Sequence, residues 1–252
     1  MTAEIDREPV LHTARSAFGI PCASPFAIKA DILLQMAGVS FTRAVAAPQD
    51  GPKGKLPWLV DGEETIADSS FIQAHLEQKH GADFDAGLSD EQRATSEMIR
   101  RVGEEYLYWA QVYFRWEDHP EMIREQLFAP VPAFFRGTVF RMVRRQVRRD
   151  LHGQGLGRHT REEILALTDS SVAALAALVG DRPFVHGDRP TSVDASLAGT
   201  LTNILAPETP SPLMYQVQGH PQLVAYERRL RARFPMGVAA TLAAPVELPV
   251  AA

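Results

Sequence analysis

Hydrophobic positions change rhythm about a third of the way along the chain. Up to residue 80, short apolar runs at 10–13, 40–46, 56–60 and 64–66 alternate with stretches of helical period. Beyond it, nearly every apolar position recurs at a spacing of three or four. The four short runs predict strands. Between the first two, Ser24-Pro25 offers an N-cap serine and a proline at the first helical position. Phe26, Ala30, Leu33, Leu34 and Ala37 follow at helical spacing and Gly38 ends the run. Pro48, Gly51, Pro52 and Gly54 mark 47–55 as a turn-rich loop. Asp61-Gly62 is a hairpin signal, and Asp68-Ser69 opens a helix that runs through Ile72 and Leu76 to Gly81.

The order β-α-β, loop, β-β-α predicts an α/β, thioredoxin-like N-terminal domain over residues 1–81. An all-α C-terminal domain is expected over 90–235, reached through a linker at 81–89, with helices at 131–151, 161–179, 191–205 and 221–234. It begins with a long helix on which Ile99, Val102, Tyr106, Trp109, Tyr113 and Trp116 form one continuous stripe. Residues 236–252, rich in alanine, valine and proline, are expected to be a loosely held tail.

Composition narrows the class. The 252 residues carry a net charge of −5 and no apolar run long enough to span a membrane, and the polar, acidic start lacks the apolar stretch of a signal peptide. Nothing global points to nucleic acid. One cysteine, Cys22, excludes an internal disulfide and fits a reducing cytosol. The eight histidines show no metal-ligand spacing: His75 and His80, five apart, fall off a shared helix face, so no metal site is expected. All but four of the basic residues are arginine, and Arg141, Arg144, Arg145, Arg148 and Arg149 share one helix face opposite Phe140, Val143, Val147 and Leu151. A solvated face paired with acidic groups is the favoured reading; an anionic substrate, a membrane surface or nucleic acid is the alternative. The glycine-rich segment 153–157 follows no strand and reads as a connector.

The most informative stretch is Gly54-Lys55-Leu56-Pro57-Trp58-Leu59-Val60 followed by Ile66-Ala67-Asp68-Ser69-Ser70-Phe71-Ile72. A proline opening a central strand cannot donate to the ladder; in a thioredoxin-like domain it is held cis and presents the preceding backbone to an incoming thiol compound. Asp68 and Ser69 stand at a helix N-terminus, where free N–H groups attract a carboxylate. Ser69 can donate to that carboxylate and Asp68 can accept from an ammonium, a pair suited to an amino-acid head group. Strand start plus N-cap, with no ligand, is the plainer use of the same residues.

These stretches combine with Ser24-Pro25-Phe26-Ala27-Ile28-Lys29, Tyr108-Trp109-Ala110, Arg115-Trp116, the Arg144–Arg149 run, Gly187-Asp188-Arg189-Pro190-Thr191-Ser192-Val193-Asp194 and His220-Pro221-Gln222-Leu223-Val224-Ala225-Tyr226. In order and spacing the set resembles the glutathione-transferase superfamily, in its metaxin and failed-axon-connections branch with bacterial relatives. The resemblance runs over residues 9–235 and implies the glutathione-transferase fold, glutathione as co-substrate and, as is common in the superfamily, a homodimer. It implies that Pro57 is cis, that the Leu56 backbone pairs with the cysteinyl part of glutathione, and that Asp68 and Ser69 hold its γ-glutamyl end. Thr191 to Asp194 matches the family's structural capping box. The first tyrosine is Tyr106, which excludes the class that uses a tyrosine near the first strand. Ser24 stands where serine and cysteine classes carry their catalytic group, while Ala27 stands where relatives of this branch often carry cysteine.

The expected activity is a glutathione-dependent transferase acting on a small hydrophobic electrophile in the cytoplasm. Ser24 is the catalytic candidate, with Cys22 as the alternative. Tyr106, Tyr113 and Trp116 are candidates for the substrate pocket, although such a stripe more often forms core. A non-catalytic binding or scaffold protein on the same fold, metaxin-like, is the rival reading.

Overall fold

The computed structural model describes residues 8–237 and 240–241. Strands β1 (Val10–Thr13), β2 (Thr42–Val45), β3 (Trp58–Asp61) and β4 (Glu64–Ala67) form a sheet with helix α1 (Pro25–Met36) as its crossover and α2 (Ser69–His80) as its return. The order is β4-β3-β1-β2, with β1 parallel to β2 and the β3-β4 hairpin antiparallel to β1. Leu11, Leu59, Leu33, Leu34, Ile72 and Leu76, all buried, fuse sheet and helices into one core. The loop from β2 to β3 contains only a single 3-10 turn, Pro48–Asp50, rather than a full helix.

Ala240–Thr241 forms a fifth strand, β5, parallel to β2 at the sheet edge, so this part of 236–252 is held by the ladder. Residues 242–252 lie outside the described residues.

The remainder is helical: α3 (Asp90–Arg101), α4 (Tyr108–Asp118), α5 (Pro120–Gln126), α6 (Ala133–Gln154), α7 (Arg161–Val179), α8 (Ser192–Ile204), α9 (Pro212–Gln218) and α10 (Pro221–Arg233). Helix α8 is buried along its whole length and packs against α1, α3 and α10. Its start is fixed by Asp194, which accepts from Thr191 N at 2.7 Å, Val185 N at 2.9 Å and the Tyr226 hydroxyl at 2.5 Å. The capping box read from the sequence is therefore a buried hub. The expected linker is also strapped down: Asp85 accepts from Ser192 N at 3.0 Å and Ser192 Oγ at 2.8 Å.

Between α3 and α4 the chain is continuous but wound as a π-helix over Val102–Leu107. The wider turn advances the helix phase by about one residue. The fully buried face after it is Leu107, Ala110 and Phe114, so Tyr106, Trp109, Tyr113 and Trp116 only half-bury against the core. On α6, Arg144 and Arg148 both grip Glu117 of α4, at 3.1 and 2.6 Å, while Val143, Val147 and Leu151 turn inward. The paired-face reading of the arginines holds for these two.

Candidate active site

The sheet brings the motifs to one edge. Trp58 at the start of β3 pairs with His12 near the end of β1 and with Ala67 at the end of β4. Pro57, Asp68 and the loop leading from β1 to Ser24 therefore emerge on the same side. The Leu56–Pro57 peptide is cis, and the Pro57 carbonyl accepts from Asp68 N at 3.2 Å. This ties the proline to the N-terminus of α2. Asp68 is the N-cap there: its Oδ1 accepts from Ser70 N at 2.9 Å, its φ is +91°, and its side chain is exposed. Ser69 lies behind it, buried.

Ser24 is the N-cap of α1. Its Oγ accepts from Ala27 N at 3.3 Å, which sets the hydroxyl at the positive end of the helix. Cys22 points the other way. It is fully buried, 3.2 Å from Thr13 Oγ1, and accepts from Ser24 N at 3.4 Å. Burial pushes its thiol up to about 11, so it is a packed thiol rather than a thiolate. Of the two, Ser24 alone stands at a helix N-terminus, while Cys22 is fully buried.

The helical domain meets this edge through α8 and the π-helix. A side chain at Gly199 would strike the Pro25 carbonyl, its Cβ lying 2.2 Å from that oxygen, so glycine permits α1 to start directly against α8. One helical turn on, Lys29 is buried, 2.7 Å from Glu104 and 3.5 Å from Ser70 Oγ. Glu104 also accepts from Ser196 Oγ at 2.8 Å and Arg100 at 3.2 Å. Burial pushes the Lys29 ammonium down while Glu104 opposes that shift. Neither residue was singled out in the sequence; the π-helix that turns Glu104 inward leaves no mark in apolar spacing. Behind them Arg115 donates to Asn203 Oδ1 at 3.1 Å and to Asn203 O at 2.5 Å, and burial pushes its pKa down to about 9. Asn203 Nδ2 in turn donates to Cys22 O at 3.5 Å, which steadies the loop before Ser24.

A narrow crevice runs between the domains, too tight as it stands to hold a water molecule, and is lined by Pro25, Phe26, Lys29, Glu104, Tyr108, Ser196 and Thr200. Phe26 and Tyr108 face each other edge to face, 4.9 Å between ring centroids. The aromatic residues at the cleft are thus these two, whereas Tyr106, Tyr113 and Trp116 lie elsewhere. Tyr113 packs on Phe114 at 5.2 Å, and Trp116 stacks on Phe140 at 6.2 Å in a separate apolar cluster. Tyr106 packs at the edge of the main core. The phase shift of the π-helix is the physical reason.

The histidine spacing also proves misleading. His75 and His80 converge, each Nε2 lying 2.7 and 2.8 Å from the same Asp61 Oδ2. Asp61 ends β3, so its position relative to α2 is set by the fold and not by sequence spacing.

A small mixed sheet with a cis proline and two helix N-termini at one edge, backed across a cleft by an all-helical domain, defines the glutathione-transferase class of fold. Comparison with known proteins agrees. The glutathione S-transferase N-terminal domain family matches residues 25–122, and its C-terminal domain family matches 168–230. The isoprene-epoxide–glutathione S-transferase of Rhodococcus sp. is 33% identical over 238 residues, covering 86% of this chain and 95% of that protein. Human metaxin-2 is 25% identical over 187 residues, covering 73% of this chain and 71% of metaxin-2. The crystal structure of glutathione transferase GSTFuA3 from Phanerochaete chrysosporium superposes with a TM-score of 0.63 at 15% identity, over 92% of this chain and all of that one. The chain belongs to the glutathione S-transferase family, in a branch that includes metaxin-like relatives.

Proposed function

We propose that this protein is a glutathione-dependent transferase that conjugates a small apolar electrophile. The observation that carries the reading is the shared sheet edge, where Ser24, Pro57 and the Asp68-Ser69 helix start come together beside the cleft. Glutathione lies along the Leu56 backbone in an extended, strand-like pose. Its γ-glutamyl head sits at the N-terminus of α2, with Ser69 and the helix N–H groups on the carboxylate and Asp68 on the ammonium. Its thiol reaches the N-terminus of α1, where the Ser24 hydroxyl and the free N–H groups favour the thiolate. The electrophile rests against Phe26 and Tyr108, where the crevice widens to admit it. The thiolate sulfur forms a bond to an electrophilic carbon while that carbon's bond to its leaving group breaks. With an epoxide, the substrate class in the name of the Rhodococcus relative, the group released is the ring oxygen, which stays attached and takes up a proton.

A second reading, a non-catalytic binding module, is favoured by the metaxin-2 relative and by Ala27 standing where a cysteine would complete a thiol site. Among the described residues no helix is long and apolar enough to cross a membrane. Calorimetric titration with glutathione and with S-hexylglutathione tests the proposal. Binding of both, followed by conjugation of a small epoxide, supports the enzyme; failure of both to bind at millimolar concentration leaves the binding module.

A further inference from the structure

On the far side of the N-terminal domain from the cleft, three metal-type donors meet. Donor atoms of His75, His80 and Asp61, one from each, lie within 4.8 Å of one another. They come from the end of β3 and the last turns of α2, two rigid elements packed on each other. We propose that this cluster is a binding site for a divalent transition metal of the zinc type, with His75, His80 and Asp61 as its protein ligands.

Donor type and spacing favour this class. Two imidazoles and one carboxylate suit Zn²⁺ and its neighbours and are poor ligands for Ca²⁺ or Mg²⁺. Bonds of about 2.0–2.2 Å in a tetrahedron set donors about 3.3 Å apart. The present separations of 2.7 and 2.8 Å from Asp61 to each imidazole need widen by only about half an ångström. Each imidazole now donates its Nε2 proton to the carboxylate; on metal binding that proton leaves Nε2 and the lone pair faces the ion. The fourth position has room, because Asp61 and His80 line a solvent-open recess of about 510 Å³ that Glu8 also borders. Three protein ligands with one open position is the arrangement of a site that exchanges water.

One group opposes loading. The Lys79 ammonium lies 3.2 Å from Asp61 Oδ2 and repels a second cation. It is half exposed and also holds Glu64 and the Asp61 carbonyl, each at 3.1 Å, so it can turn away from Oδ2 and keep the Glu64 pair. This gives the site a signature that a merely structural tie between β3 and α2 would lack: removing Lys79 strengthens metal binding, whereas removing a ligand weakens it.

The test is titration of the full, untagged chain with Zn²⁺ by calorimetry and with Co²⁺ by visible absorption. The wild type should bind one equivalent of Zn²⁺ and show the d–d bands of Co²⁺ in a low-coordinate nitrogen and oxygen site. His80→Gln, at the exposed last residue of α2, should lower affinity by about tenfold or more. Lys79→Met should raise it. Circular dichroism shows that each variant is folded before it is titrated. A wild type that binds no Zn²⁺ at millimolar concentration overturns the proposal. So does a folded His80→Gln that binds as well as wild type, or a Lys79→Met that binds more weakly.

Discussion

Gly199→Ala tests the contact that sets the site. Alanine would place its Cβ 2.2 Å from the Pro25 carbonyl oxygen, 3.0 Å from its carbon and 3.3 Å from its Cα. All three are backbone atoms, so no side chain can swing aside, and the oxygen is about 1.2 Å too close for the 3.4 Å at which ordinary contact begins. Alanine in mid-helix is worth about 1 kcal/mol over glycine, against roughly 1–3 kcal/mol for overpacking a tight contact. The net change is therefore a loss of up to about 2 kcal/mol, and Tm should fall by as much as about 8 °C at this chain length. The larger effect is on rate. The start of α1 and Ser24 with it must shift by about an ångström, and a misplacement of that size costs about 10²-fold in turnover. Thermal unfolding and the conjugation rate measure the two effects separately. Gly137→Ala, in α6 with nothing near its Cβ, is the control and should leave rate untouched while slightly raising Tm. A Gly199→Ala protein with the melting temperature and rate of wild type would refute the reasoning.

Asp68→Asn keeps the N-cap acceptor but removes the charge, so it should weaken glutathione binding by about 1.5–3 kcal/mol with little change in Tm; normal binding by calorimetry would place the head group elsewhere. Ser24→Ala should lower turnover by about 10²-fold with binding intact, while Cys22→Ala should cost stability through a small cavity and leave chemistry alone; a dead Cys22→Ala beside an active Ser24→Ala would reverse the assignment. Burial holds the His186 imidazole, 2.7 Å from Ser96 Oγ, below its ordinary pKa of 6.5. Its contribution to stability is fully present above pH 6.5 and is lost as pH falls from there through the lowered folded value. Urea unfolding on either side of pH 6.5 should show a smaller loss in His186→Gln than in wild type.

The fold was legible wherever local chemistry and tertiary demand agree. Ser24-Pro25 cap α1 as read, Asp61-Gly62 turns the hairpin, and Thr191 with Asp194 closes the capping box. The short α9 carried the same signature in Ser211-Pro212, a cap serine before a first-turn proline, but seven residues are too few for the Leu213–Val217 spacing to stand out. Strand β5 was hidden for the opposite reason: a two-residue parallel edge strand is made by its neighbour, not by its own composition. The site divides along the same line. Ser24, Pro57, Asp68 and Ser69 sit at turns and caps, where identity carries meaning. Phe26, Tyr108, Lys29 and Glu104 become neighbours through the crossing of α1 with the π-helix, and a regular 3.6 period projected onto residues 102–107 points one residue away from them.

The strapped linker has a kinetic consequence. Asp85 fastens residues 81–89 to the start of α8, Lys29 and Glu104 join the two domains in a buried pair, and Gly199 seats α1 against α8. Parting the two halves would break all three of these contacts. Turning the Phe26 and Tyr108 rings, which meet edge to face at 4.9 Å, is a smaller rearrangement than parting the domains. Trimming either ring should therefore widen the range of accepted molecules more than any change in the linker, as conjugation rates for a series of epoxides of increasing size would show.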